Sequence, residues 1–194
     1  MNLIKGLEYL ESSMIHMADL VVHNLDIAFD AYLDYKEKEY LVNDDIIDNL
    51  ERMIEGECMH LLLKERPFAS DLRKVSGILK LISDLERLGD HAEDVLEFAL
   101  KLKNTEKHSN EEIDKIVDIT LSMVKDSIES YVKQDIVLAQ SVIDRDDLID
   151  KMYEEVINDI INMSKLNSNI IAQLVIKISF RDKSELFAGD DLCR

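Results

Sequence analysis

Glu86, Asp90 and Glu93 follow one another at steps of four and three residues. On an α-helix that spacing stacks side chains on one face, so the three carboxylates form a ladder rather than scattered charges. Carboxylate oxygens are the preferred ligands of hard cations such as Mg²⁺, Mn²⁺ and iron, and a pair at i and i+4 can grip one ion. Two helices offering such pairs across a seam could hold more than one. Gly89 stands inside the ladder. In mid-helix it costs about 1 kcal/mol against alanine, which points to the close approach of another group. Spacing alone does not make a site. With 41 acidic residues in 194, about eight i,i+4 acidic pairs arise by chance among helical neighbours. Asp26/Asp30, Asp30/Asp34, Asp90/Asp94 and Asp114/Asp118 share the pattern.

The elements that would carry the ladder are helices. Five glycines and one proline leave little material for the turns of a sandwich or barrel, and the abundance of Leu, Ile, Lys, Glu and Asp favours long helices. Leu7, Leu10, Met14, Met17, Val21, Leu25, Ala28 and Tyr32 step by three or four, which predicts a helix from Leu3 to about Lys38. Asn43 suits the N-cap of a second, with Asp44 and Asp45 favourably placed in its first turn, running to about Lys64. Pro67 suits the opening of a third, which carries a broad apolar face (Val75, Ile78, Leu79, Ile82, Leu85, Leu88, Ala92 and Val95) to about Leu102.

The polar stretch 103–110 is the best internal boundary, with Ser109 and Glu112 spaced as a capping box. A fourth helix then holds Ile113, Ile116, Ile119, Met123, Val124 and Ile128. Asp144 with Asp147 suggests the start of a fifth, running to about Met163, and Asn167 or Ser168 would cap a sixth around Ile170 to Ile178. Val42 to Asp48 answers to Asp144 to Asp150 about a hundred residues on, in a long–medium–long order that occurs twice. The expected fold is therefore all-α: two tandem three-helix-bundle repeats, 1–105 and 106–194, six helices in all, the last altered or truncated.

The formal net charge of −18 repels phosphate backbones and anionic lipid, so unaided nucleic-acid or membrane binding is not expected. Cys58 and Cys193 are too few for a disulfide framework. No signal peptide or run of roughly 20 apolar residues is visible, and a soluble intracellular protein is the expectation.

The residues Arg66-Pro67-Phe68-Ala69-Ser70-Asp71-Leu72-Arg73, followed by Leu85-Glu86-Arg87-Leu88-Gly89-Asp90-His91-Ala92, resemble the signature of the PhoU family, accessory regulators of phosphate-specific transport. Asp144-Arg145-Asp146-Asp147-Leu148-Ile149-Asp150 matches the start of the corresponding second-half helix, so the resemblance covers nearly the whole chain. It implies a cytoplasmic, usually dimeric, all-helical protein that catalyses nothing itself. Such a protein restrains phosphate-starvation signalling by linking the ATP-binding subunit of the phosphate ABC transporter to a phosphate-sensing histidine kinase. The resemblance also implies binding of iron, zinc, manganese or magnesium at E/DxxxD motifs, here Asp44 with Asp48, Glu86 with Asp90, and Asp146 with Asp150. The final segment departs from the pattern: in Ser184 to Asp191, Glu185 and Asp190 lie five apart, which on a helix separates them by about 140°.

Other readings are narrower. A di-iron oxidase bundle needs two Glu-x-x-His motifs, and Glu57 to His60 is the one such motif in the sequence. No Gly-rich phosphate loop occurs. An accessory protein of a low-affinity phosphate permease and a plain metal-storage bundle remain as alternatives. His91, about 100° from Asp90 on a helix, is expected at the surface rather than as a ligand. Arg73 and Arg87 are expected to pair with local carboxylates.

Overall fold

The computed structural model describes residues 3–34, 40–102 and 111–164. Among these residues are five α-helices and no strand: α1 (Leu3–Asp34), α2 (Asp44–Lys64), α3 (Ser70–Leu102), α4 (Glu111–Lys133) and α5 (Ile136–Ser164). The proposed sixth helix, the capping serine Ser109 and the altered segment 184–191 lie outside the described residues.

The central helix is α1, which packs on α3, α2 and α4. Its apolar stripe is buried as the spacing expects, with Leu10, Met14, Met17, Val21 and Leu25 all at most 2% exposed. From α2 come Ile47, Ile54, Cys58 and Leu61, each 0% exposed. On α3 the buried face is wide, including Val75, Ile78, Ile82, Leu85, Ala92 and Val95, because it meets both α1 and α2. Each fully buried Leu or Ile contributes about 1.5–3 kcal/mol, against about 0.3–0.5 kcal/mol for an exposed i,i+4 ion pair such as Lys101 with Glu97. The apolar stripes hold this bundle.

Two faces of α4 are used. Ile113, Val117 and Val124 join the first core, while Met123 meets Val142 and Ile149 of α5 in a second, smaller cluster. Arg145 clamps this pair of helices: its guanidinium donates to Ser122 Oγ at 2.9 Å and Asp126 Oδ2 at 2.5 Å on α4. Among the described residues α5 packs on α4 alone. No helix there is long and apolar enough to cross a membrane.

Two boundaries differ from the sequence expectation. The third helix starts at Ser70 rather than Pro67, since Arg66 and Ala69 adopt φ of 46° and 50° and the chain turns twice before it can wind. The fifth starts at Ile136, not Asp144. Its N-cap is Asp135, whose Oδ1 accepts hydrogen bonds from the backbone N–H groups of Val137 and Leu138, both at 3.0 Å. Asp144 and Asp147 are mid-helix, and Asp144 accepts instead from the Gln140 side chain. Among the described residues the helix lengths run 32, 21 and 33, then 23 and 29.

Candidate metal centre

Asp44 and Asp45 occupy the first turn of α2 as expected, although Asn43, at the N-cap, makes no side-chain cap hydrogen bond. The helix N-terminus carries partial positive charge and favours carboxylates placed there. Four residues on, Asp48 lies on the same face and receives a hydrogen bond from Arg52 Nη2 at 2.6 Å. The exposed guanidinium (66%) makes this a weak and displaceable pairing.

Gly89 explains how α3 reaches these groups. A Cβ at this position would lie 2.8 Å from Asp44 Oδ1 and 3.0 Å from Ile47 Cδ1. A side chain at 89 would therefore force the Asp44 carboxylate and the Ile47 side chain to move. The close approach of the two helices carries Asp90 to α2, and Asp44, Asp48 and Asp90 each offer a carboxylate oxygen within 4.8 Å of the others. Oxygens that share one hard cation at about 2.0–2.6 Å are separated by no more than about 4–5 Å, so this triad has the spacing of a binding site.

The electrostatics describe a seam crowded with negative charge. Burial, first, and then the charges of Asp90, Asp48 and Glu93 raise the pKa of Asp44 to about 6. Its Oδ1 is buried and has no hydrogen-bond donor, while the Asp90 carboxylate is close enough to share a proton with it. One turn along, Glu86 and Glu51 are also raised, each chiefly by burial, with Asp90 and Asp48 adding to both. A positive ion would relieve all of these at once.

Of the six acidic residues singled out from the sequence, Asp44, Asp48 and Asp90 come together. Glu86 sits beside the triad but outside it, coupled to it through charge. Asp146 and Asp150 lie apart on α5, three to four turns into the helix rather than at its start. No carboxylates from another described helix join them in a group spaced for an ion. Glu51 was missed. It continues Asp44 and Asp48 at i+7, but its importance comes from Glu86 across the seam, which one helix's spacing cannot show. His91 is buried at 8% exposure rather than at the surface, its Nδ1 3.7 Å from Asp94. The turn away from Asp90 points it inward.

The PhoU domain model matches residues 14–99 and 113–180. The chain is 38% identical over 161 residues to the phosphate-specific transport system accessory protein PhoU homolog of Aquifex aeolicus, covering 80% of this chain and 72% of the relative. It is 33% identical over 174 residues to the protein of that name from Clostridium acetobutylicum, covering 87% and 79%. Among solved structures, PhoU from Pseudomonas aeruginosa superposes with a TM-score of 0.83 at 27% identity, covering 97% of this chain and 92% of that one. The phosphate transport system regulatory protein PhoU from Streptococcus pneumoniae gives 0.77 at 26%, covering 99% and 92%.

Proposed function

The chain belongs to the PhoU family, an accessory and regulatory component of phosphate transport, and on that premise we propose that it restrains phosphate uptake and phosphate-starvation signalling by protein–protein contact. In this reading it acts in the cytoplasm as a homodimer and an adaptor, touching the ATP-binding subunit of the phosphate ABC transporter and a phosphate-sensing histidine kinase, and catalyses no reaction itself. The observation that supports it most is the family match through both halves of the chain. Deleting the gene is expected to leave phosphate-responsive genes switched on in phosphate-rich medium; normal repression in the deletant would sink the reading.

We further propose that the α2–α3 seam holds a divalent or trivalent metal. Asp44, Asp48 and Asp90 would be its ligands, with Glu86 and Glu51 as the neighbouring carboxylates. The donor set is all oxygen, which suits magnesium, manganese or iron better than zinc. A bound cation supplies the positive charge that this seam lacks. A proton competes with the ion for the Asp44 carboxylate as pH falls toward about 6, and Gly89 lets α2 and α3 come close enough for carboxylates of both helices to share one position.

A further inference from the structure

The turn at the other end of α2 and α3 is built to present a side chain, not to hide one. Phe68 is 86% exposed, and Leu63 and Leu72 flank it at 72% and 43%. Arg66 follows the C-cap of α2, where a left-handed residue is ordinary although glycine is usual. Ala69 has no such reason for its φ of 50°. It closes the first hydrogen bond of α3, accepting from the Arg73 N–H at 3.1 Å, while Phe68 O accepts from Asp71 N–H at 3.2 Å. Pro67 is buried, and it lies with Phe68 between the left-handed Arg66 and Ala69. The turn thus buries the imino ring and turns the aromatic ring outward. Backbone strain of this kind persists where surrounding structure enforces it, and it concentrates at contact sites.

The charge of this turn is also unlike the rest of the chain. Residues 63–74 carry four basic and two acidic side chains, in a chain of formal net charge −18. Lys74 pairs with Glu11 at 3.0 Å. Lys64, Arg66 and Arg73 are exposed and form no ion pair with a carboxylate among the described residues. An acidic partner approaching this protein is repelled by most of its surface and drawn to this turn. Anionic lipid meets the same overall repulsion, and a single ring offers it little area to bury, so a protein cleft is the better fit.

We infer that the Phe68 turn is a docking face for an acidic protein partner, with Phe68 entering an apolar cleft whose rim carboxylates meet Lys64, Arg66 and Arg73. The inference rests on the adaptor reading above and adds to it the surface and the chemistry of contact. It is tested by titrating the purified full-length protein against the purified ATP-binding subunit from the same genome. Phe68→Asp is expected to weaken binding at least about tenfold, the loss typical of a central aromatic anchor, at an unchanged melting temperature. Phe68→Trp should restore it, and Leu148→Asp, at an exposed position on α5, should leave it alone. Arg66→Glu with Arg73→Glu should also weaken binding and flatten its dependence on salt. Tight binding that ignores Phe68 overturns this docking face while the adaptor reading stands. No binding by the wild type overturns both. Binding transferred to anionic phosphatidylglycerol vesicles, and lost with Phe68→Asp, would overturn the protein cleft in favour of a membrane contact.

Discussion

At its open end the α2–α3 hairpin crowds carboxylates around a glycine, and at its turn, about 30 Å away along α2, it holds a phenylalanine in water among cations. The same core supports both ends. Ile47, Ile54, Cys58 and Leu61 of α2 are wholly buried from one end to the other, and a glycine admits a close neighbour near each. Gly89 faces Asp44 and Ile47, while Gly6 of α1 faces Leu61, whose Cδ2 would lie 2.6 Å from a Cβ. Packing is therefore not what distinguishes the ends. Each carries a local arrangement that would be unfavourable alone, and the bundle enforces both. Such departures from local preference are where function is expected.

The largest effect expected is at the open end. Asp90→Asn should weaken metal binding by about 100-fold or more, since changes merely behind the ligands already cost 10–100-fold; elemental analysis and titration with Mn²⁺ are the readouts. The same variant should make the metal-free protein more stable by about 1 kcal/mol, because one of the charges raising Asp44 is gone. If metal-free wild type and variant melt together, the seam is not under charge strain and the contrast between the two ends weakens.

A matched exchange of glycine and alanine sharpens it. Gly77→Ala, with nothing within 4 Å of its new Cβ, should gain close to 1 kcal/mol of helix propensity. Gly89→Ala should lose that gain and about 1–3 kcal/mol more to overpacking, and should weaken metal binding. At the turn, Ala69→Gly relieves a left-handed alanine but loosens the unfolded chain, leaving a net gain of about 0.5 kcal/mol. Equal melting shifts for Gly77→Ala and Gly89→Ala would remove the close-approach argument.

The smallest effect is on pH. Asp44 is raised in the folded state from 3.8 to about 6, so its proton stabilises the metal-free fold. That contribution is complete below about pH 4 and is lost as pH rises through about 6, a fall of about 1 kcal/mol once solvent screening is allowed for. Metal affinity should run the other way, rising through the same window as the ligand is freed of its proton. Denaturant melts from pH 4.5 to 7.5, with and without Mn²⁺, separate the two trends; a metal-free curve without this fall would place Asp44 in an ordinary solvated setting.

Much of the fold was legible in the apolar stripes. The start of α1 at Leu3, the span of α2 to Lys64 and the end of α3 at Leu102 all follow from three-and-four spacing and polar breaks. The misses have physical causes. Asp135 is one acid among 41, and nothing but its hydrogen bonds to Val137 and Leu138 marks it as a cap. The start of α3 slipped because alanine and arginine do not advertise positive φ as glycine would. At the site, Asp44 with Asp48, and Asp90 across from them, were readable along single helices with the help of the family resemblance. Glu51 was not, because its role depends on Glu86 and Asp90 of the other helix.

Among the described residues the first core draws its buried side chains mainly from α1, α2 and α3, with Ile113, Val117 and Val124 of α4 buried against them and Leu121, Ile128 and Tyr131 at its edge. During synthesis nearly all of it is present once residue 102 has left the ribosome. Chains grow at about 5–20 residues per second and N-terminal units fold first, so the remaining 92 residues of the 194 take about 5–20 s to appear. Both ends of the α2–α3 hairpin, the Asp44, Asp48 and Asp90 group included, are expected to be assembled in that interval.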